Sequence, residues 1–415
     1  MTPNQPLRLL IVEEALRSLD FGHWYEYLKA ITEGMTAAGI QVELLVAKAA
    51  EPEVLRTLPA RPVFRYTAWE SHYYSPNPLK RWLGTLQHNF RFAKDLASHL
   101  ESAKPYDIIL APTIQPLHIL GWYRIARRFG GKKFDRLVII CVHGPGIHQG
   151  NGEFVFPASS RFYQTMLRLM GPMHRSGRVT FVCETRKAVE HFRQLCGLEF
   201  ALFPHVVAFP PIVRTNNGNR AGHLTLGSLG SPRAEKGSLL LQEMAASLLH
   251  RPDPPPVKFV IQWMKGYRDA QGKLVSKEKA LLNHPQVEFI DTALNTEQYQ
   301  ARLRLLDGLV LPYRTRHYYD RVSRVATEAA CLGLPFIYPR NSWLEDVAQR
   351  CGAGVGFEDG NAADLERAVL EFVARKAELQ ARAAEQSGLA RRYHSPNRFK
   401  TLLLRQPDEL AAMAF

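Results

Sequence analysis

The chain is 415 residues long, 46% of them hydrophobic, with a formal net charge of +14. That length exceeds a single compact core and suits two domains, and that apolar content excludes intrinsic disorder. The charge is uneven, with 26 Lys+Arg against 17 Asp+Glu in residues 1–215 and 27 against 22 in residues 216–415. The front half is therefore the better candidate for meeting an anionic partner, whether a phospholipid surface, a lipid-linked phosphate or nucleic acid; a plain solvated basic face is the alternative.

Five cysteines (Cys141, Cys183, Cys196, Cys331, Cys351) form no C-x-x-C pair. An odd number so spaced argues against a disulfide framework and a structural zinc site, and fits small core residues in a reducing compartment. The first ten residues turn acidic at Glu13 and Glu14 without the apolar stretch of a signal peptide. No run reaches the ~18–20 apolar residues of a membrane span. The expected location is cytoplasmic, with any membrane contact peripheral and anionic.

Along the chain, Leu7–Val12 reads as a buried strand, a loop carries Gly22, and Trp24–Ala38 has helical spacing stopped by Gly39. Val42–Val46 completes a βαβ unit, whose right-handed crossover implies a parallel sheet. Asp107–Leu110, Leu137–Val142 and Val179–Cys183 continue the strands, with helices around His118–Phe129 and Phe162–Met173. Arg61–Asp95 breaks the rhythm and reads as an inserted loop and amphipathic helix. Its aromatics (Phe64, Tyr66, Trp69, Tyr73, Tyr74, Trp82, Phe90, Phe92) either form an acceptor or membrane-interface surface or pack under the loop. Pro204–Asn219 marks a boundary between domains expected at 1–205 and 206–395. Alternation then restarts with strands at Leu224–Leu229, Val257–Gln262, Val287–Ile290, Leu309–Leu311 and Pro335–Tyr338, and helices at Gly237–Leu249, Gln298–Leu305 and Ser323–Leu332. A helix from Ala362 to about Gln386 is expected to stop at Gly388, and a last helix near Asn397–Leu404, within residues 396–415, to pack back on the first domain. The fold class is α/β, with two Rossmann-like doubly wound domains facing a central cleft.

Two segments carry anion-binding chemistry. Asp320 and Glu328 stand eight residues apart at the start of a helix, where helical spacing puts both carboxylates toward one side. The amides of Arg324 and Val325 at that helix start suit a diphosphate, and an acid deeper in the helix suits a ribose diol. Gly227–Gly237 (GSLGSPRAEKG) runs from a strand into a helix and supplies Arg233 and Lys236, cations able to stabilise a departing nucleoside diphosphate. Leu309–Gly356, with its strand ending in Leu-Pro, its acidic-x7-Glu pair, Gly333–Pro335 and Gly352–Gly356, resembles the retaining GT-B glycosyltransferases of the family 4 type. The order of elements over most of the chain agrees with that family.

The resemblance implies that Glu328 binds ribose hydroxyls, Asp320 the transferred sugar, and Lys236 and Arg233 the diphosphate. It also implies that His143, at the end of Val138–Gly146, faces the donor sugar, with His148 a nearby competitor, and that Gly22 lets the backbone approach acceptor or phosphates. The sequence departs from the family pattern at Asp320, Ser231 and Ser323, where Glu, Arg and Gly are usual. The implied activity is retaining transfer of a hexosyl-type sugar from a UDP- or GDP-sugar to a glycan, lipid or small-molecule acceptor, with no cofactor and no metal. The absence of an Asp-x-Asp pair or a His cluster at metal-ligand spacing agrees with that last expectation. The rivals are an inactive relative, a Rossmann-type oxidoreductase or epimerase, and a non-enzymatic basic protein. The first Rossmann-type rival lacks its G-x-G-x-x-G; the basic protein would bind a nucleic acid or a membrane through Arg124, Arg127, Arg128, Lys132, Lys133 and Arg136. No nucleic-acid motif accompanies that patch, so a nucleic-acid partner is not expected.

Overall fold

A computed structural model describes residues 6–19, 24–70, 75–149, 153–207, 224–269, 271–406 and 409–410. The chain divides into two compact units, one of residues 1–147, 154–208 and 395–415, the other of residues 148–153 and 209–394.

The first unit is built on a parallel seven-stranded sheet: β1 (Arg8–Val12), β2 (Gln41–Ala47), β3 (Ala60–Phe64), β4 (Tyr106–Ile114), β5 (Phe134–Cys141), β6 (Val179–Cys183) and β7 (Ala201–Leu202), in the order β3-β2-β1-β4-β5-β6-β7. The central strands are unbroken apolar runs because helices cover both faces. Those helices are α1 (Trp24–Thr36), α2 (Pro52–Thr57), α3 (Pro78–Ser102), α4 (Pro116–Phe129), α5 (Ser160–Arg175) and α6 (Arg186–Cys196). One face of the sheet buries Leu10, Ile109, Ile139 and Phe181 under α3–α6, and the other buries Leu9, Ile11, Leu44 and Ile140 under α1.

The segment read as an insertion is partly regular sheet. β3 is an edge strand whose exposed Arg61 and Pro62 hide the apolar signature of its neighbours, and proline is tolerated at such an edge. Phe64 and Phe92 stack in the core at 5.3 Å, whereas Tyr66, Trp82 and Phe90 stay 43%, 54% and 48% exposed. Arg91 and Arg124 lie over the Tyr66 and Phe90 rings. Tyr73 and Tyr74 lie outside the described residues. The expected basic patch is also smaller than its sequence count. Arg136 is buried and donates to the Leu403 and Arg405 carbonyls, Lys133 donates to the Glu101 and Ala103 carbonyls, and Arg128 pairs with Glu101.

The second unit repeats the plan with six parallel strands: β8 (Leu224–Ser228), β9 (Val257–Gln262), β10 (Val287–Ile290), β11 (Gly308–Val310), β12 (Phe336–Pro339) and β13 (Gly354–Phe357), in the order β10-β9-β8-β11-β12-β13. Its helices are α7 (Ser238–Leu249), α8 (Thr296–Leu305), α9 (Thr315–Tyr318), α10 (Arg324–Leu332), α11 (Trp343–Cys351), α12 (Ala362–Ala374) and α13 (Lys376–Tyr393). Gly388 does not stop α13. A glycine inside a helix costs about 1 kcal/mol, which the burial of Leu379, Ala383 and Ala390 outweighs. The break comes instead at Arg375, between α12 and α13.

The last helix, α14 (Pro396–Leu404), belongs to the first unit. Phe399 is fully buried and meets Phe203 edge-on at 5.4 Å, and Pro396 fits against Gly34 of α1, where a Cβ would come within 2.5 Å of it. All five cysteines are buried, and none is in a disulfide. No described helix is long and apolar enough to cross a membrane.

Candidate active site

In the second sheet the strand order reverses between the neighbours β8 and β11. Crossovers leaving the carboxyl ends of two such strands diverge, and the crevice between them is where open α/β sheets bind ligands. Both segments expected from the sequence to bind an anion leave from these two strands.

After β8 the chain runs to a short turn at Ala234–Lys236 and enters α7 through Gly237. Gly237 has φ +63°, and a Cβ there would stand 1.8 Å from the Pro312 carbonyl oxygen just past β11. Only glycine allows this close approach, which fixes Lys236 beside the neighbouring strand end. The Gly230 amide donates to Gln262 Oε1 at 2.7 Å, and Gln262 Nε2 donates to the Thr292 carbonyl at 3.0 Å, so the loop is tied to the end of β9. Lys236 Nζ lies 2.6 Å from where a Cβ on Gly230 would project and 5.9 Å from the centre of the Tyr313 ring.

Burial pulls the Lys236 pKa down to about 8, and the nearby Arg233 and Arg321 add to that shift while Glu235 opposes it. Arg233 is exposed, with Nη1 3.6 Å from Glu235 Oε1. Arg321 lies over the Tyr318 ring at 5.2 Å, and Tyr318 packs on Tyr313 at 4.5 Å. Among the described residues neither Lys236 nor Arg321 has a carboxylate within ion-pair distance. Three cations are thus gathered over a tyrosine floor, a surplus of positive charge suited to an anion. Arg321 was not singled out from the sequence, where it reads as spacer in the acidic-x7-Glu stretch. The only available signal is its place next to Asp320.

Beyond β11, α10 begins at Arg324, and Ser323 caps it by accepting from the Ala326 amide at 3.3 Å. Arg324 and Val325 hold the first two helical positions, whose amides helix geometry leaves without an intrahelical acceptor. Asp320 stands before the helix in a non-helical stretch and is partly exposed. The expected helical relation between Asp320 and Glu328 therefore does not hold, because the chain bends at Tyr319–Ser323 before the first turn forms. Glu328 is in the helix but only 3% exposed. Its Oε1 accepts from Arg324 Nε and its Oε2 from the Tyr299 hydroxyl, each at 2.7 Å. Both oxygens that would hold a ribose diol thus have protein donors in this conformation.

Of the remaining expected residues, His143 is exposed just past β5 in the first unit. Gly22 lies outside the described residues. His148 falls in the second unit, where its ring stacks on Tyr319 at 4.1 Å, beside Asp320.

At the level of sequence, no family model and no curated protein matches the chain. Solved structures do match it over almost its whole length. Sucrose-phosphate synthase from Thermosynechococcus elongatus is 14% identical with a TM-score of 0.66, covering 98% of this chain and 100% of its own. Anabaena HepE in complex with UDP and glucose is 13% identical with a TM-score of 0.60 and the same coverage. A glycosyltransferase from Rickettsia africae is 12% identical with a TM-score of 0.63, covering 99% of this chain and 100% of its own. The chain has the GT-B fold, two Rossmann-like α/β domains with sheets of seven and six strands.

Proposed function

We propose that this chain is a glycosyltransferase of the retaining, family 4 type that takes a hexosyl group from a UDP- or GDP-sugar. The observation that carries the reading is the convergence of Lys236, Arg233, Arg321 and the start of α10 at the β8/β11 switch point. A fold shared with sugar-transferring enzymes raises the expectation, but function rests on the site.

In this reading the diphosphate lies against the cations and the first-turn amides of α10. As the glycosidic bond breaks, negative charge grows on the leaving phosphate and these groups stabilise it, so the transfer itself calls for no metal. The departing phosphate oxygen takes the acceptor proton while the acceptor attacks from the same face, which preserves the anomeric configuration. Asp320 contacts the transferred sugar. Glu328 takes the ribose by exchanging the Arg324 and Tyr299 donors for the two hydroxyls. HepE, crystallised with UDP and with glucose, makes a UDP-sugar the first donor to test.

The pairing of Glu328 also favours a second reading, an inactive relative in which the exchange never happens. Turnover of UDP-glucose and GDP-mannose separates the two, with hydrolysis standing in for transfer while the acceptor is unidentified. The transferase reading expects release of nucleoside diphosphate, lowered at least tenfold in Glu328→Gln. Glutamine keeps a partner for Tyr299, whereas Glu328→Ala removes the acceptor shared by Arg324 and the Tyr299 hydroxyl and confounds activity with stability. No release from any donor sugar would favour the inactive relative.

A further inference from the structure

The sheet of the first unit also reverses its strand order, between β1 and β4, and the residues leaving those two carboxyl ends are not surface loops but a buried polar cluster. Glu14 follows β1, His118 sits in the first turn of α4 after β4, and His88 reaches in from the middle of α3. All three are buried, His88 to 2% exposure. Glu14 Oε1 stands 3.0 Å from His118 Nε2 and 3.7 Å from His88 Nε2, and one ligand atom from each residue lies within 4.8 Å of the others.

We propose that Glu14, His88 and His118 bind a divalent transition-metal ion, with zinc the first candidate. Two imidazoles and a carboxylate are a donor set for such ions, at bond lengths of about 2.0–2.2 Å. Tetrahedral ligands at that radius stand roughly 3.3 Å apart. The two carboxylate–imidazole distances of 3.0 and 3.7 Å bracket that value and the two imidazole nitrogens lie within 4.8 Å of each other, so the ion enters by side-chain adjustment.

Two further observations point the same way. His88 Nε2 is buried without a hydrogen-bond partner, which leaves a costly polar atom aimed at the carboxylate. The Ala68 amide donates to both Glu14 oxygens, at 2.9 and 3.1 Å, the outer-shell support that orients a ligating carboxylate.

This proposal departs from the sequence-based expectation of no metal. Its ligands come from three separate elements, so no spacing rule finds them. Held within the first unit, the ion ties the end of β1 to α3 and α4, and the proposal stands whether or not the chain is a transferase.

The test uses the full-length protein stripped with chelator and titrated with zinc chloride alone. The proposal expects about one equivalent bound with micromolar or tighter affinity. It expects zinc-edge absorption showing two imidazole nitrogens and a carboxylate oxygen at about 2.0–2.2 Å. His88→Gln and His118→Gln should each weaken binding at least tenfold, while His250→Gln, at an exposed helix end, leaves it unchanged. His88 makes no hydrogen bond through Nε2 that its replacement would break, so His88→Gln should fold and decides the matter if His118→Gln does not. Absence of stoichiometric zinc in the stripped and titrated protein, or His88→Gln binding it as tightly as the parent, overturns the proposal.

Discussion

Lys236 is a lysine whose charge is conditional. With its pKa lowered to about 8, it is largely protonated at pH 7 and largely neutral at pH 9. A bound diphosphate favours the protonated form, so binding raises this pKa and takes up a proton above pH 8. Calorimetric titration with UDP should therefore give a dissociation constant about tenfold weaker at pH 9 than at pH 7, since one pH unit past the pKa leaves a tenth of the charged form. Lys236→Gln should bind weakly at both values; a pH-independent constant in the parent would remove Lys236 from the diphosphate site. The type and place of this lysine were legible in the Glu-Lys-Gly run, but its lowered pKa was not, because burial and the approach of Arg321 are tertiary facts. Glu328 shows the same limit. Its spacing led to the expectation of a ribose contact, yet Tyr299, 29 residues earlier on another helix, takes one of its oxygens.

At the scale of elements, the junction from the 234–236 turn into α7 depends on one backbone position. Replacing Gly237 by alanine meets the left-handed backbone, worth roughly 1–2 kcal/mol, and the Pro312 carbonyl 1.8 Å from the new Cβ. Gly237→Ala should lower stability by about 3 kcal/mol or more, read from the midpoint of denaturant unfolding. A loss within 0.5 kcal/mol would show that the loop relaxes freely, and Lys236 would then not be fixed by this contact. The buried parallel strands were the most legible elements, because burial on both faces writes them as apolar runs: β6, β9 and β10 coincide with the sequence reading. The edge strand β3 was not, since its Arg61 and Pro62 face solvent. Helix α13 was cut short in the reading because a local breaker, Gly388, was weighed without the packing that overrides it.

At the scale of the molecule, each unit places a charged cluster at the reversal point of its own sheet, cationic in the second and His/carboxylate in the first. The doubly wound plan survives where sequence identity to solved structures falls to 14% or below, because it depends on apolar pattern and crossover handedness rather than on particular residues. The chemistry depends on particular residues, which is why the fold was readable and the site only in part. The most direct measurement is a thermal-shift comparison of the parent and Lys236→Ala against UDP, GDP, ADP, CMP and NAD. A ligand at ~100 times its dissociation constant adds about 2.7 kcal/mol to the folded state. The account predicts stabilisation by UDP or GDP in the parent and its loss in Lys236→Ala. No response to any nucleoside diphosphate, or an equal response in both proteins, would contradict it.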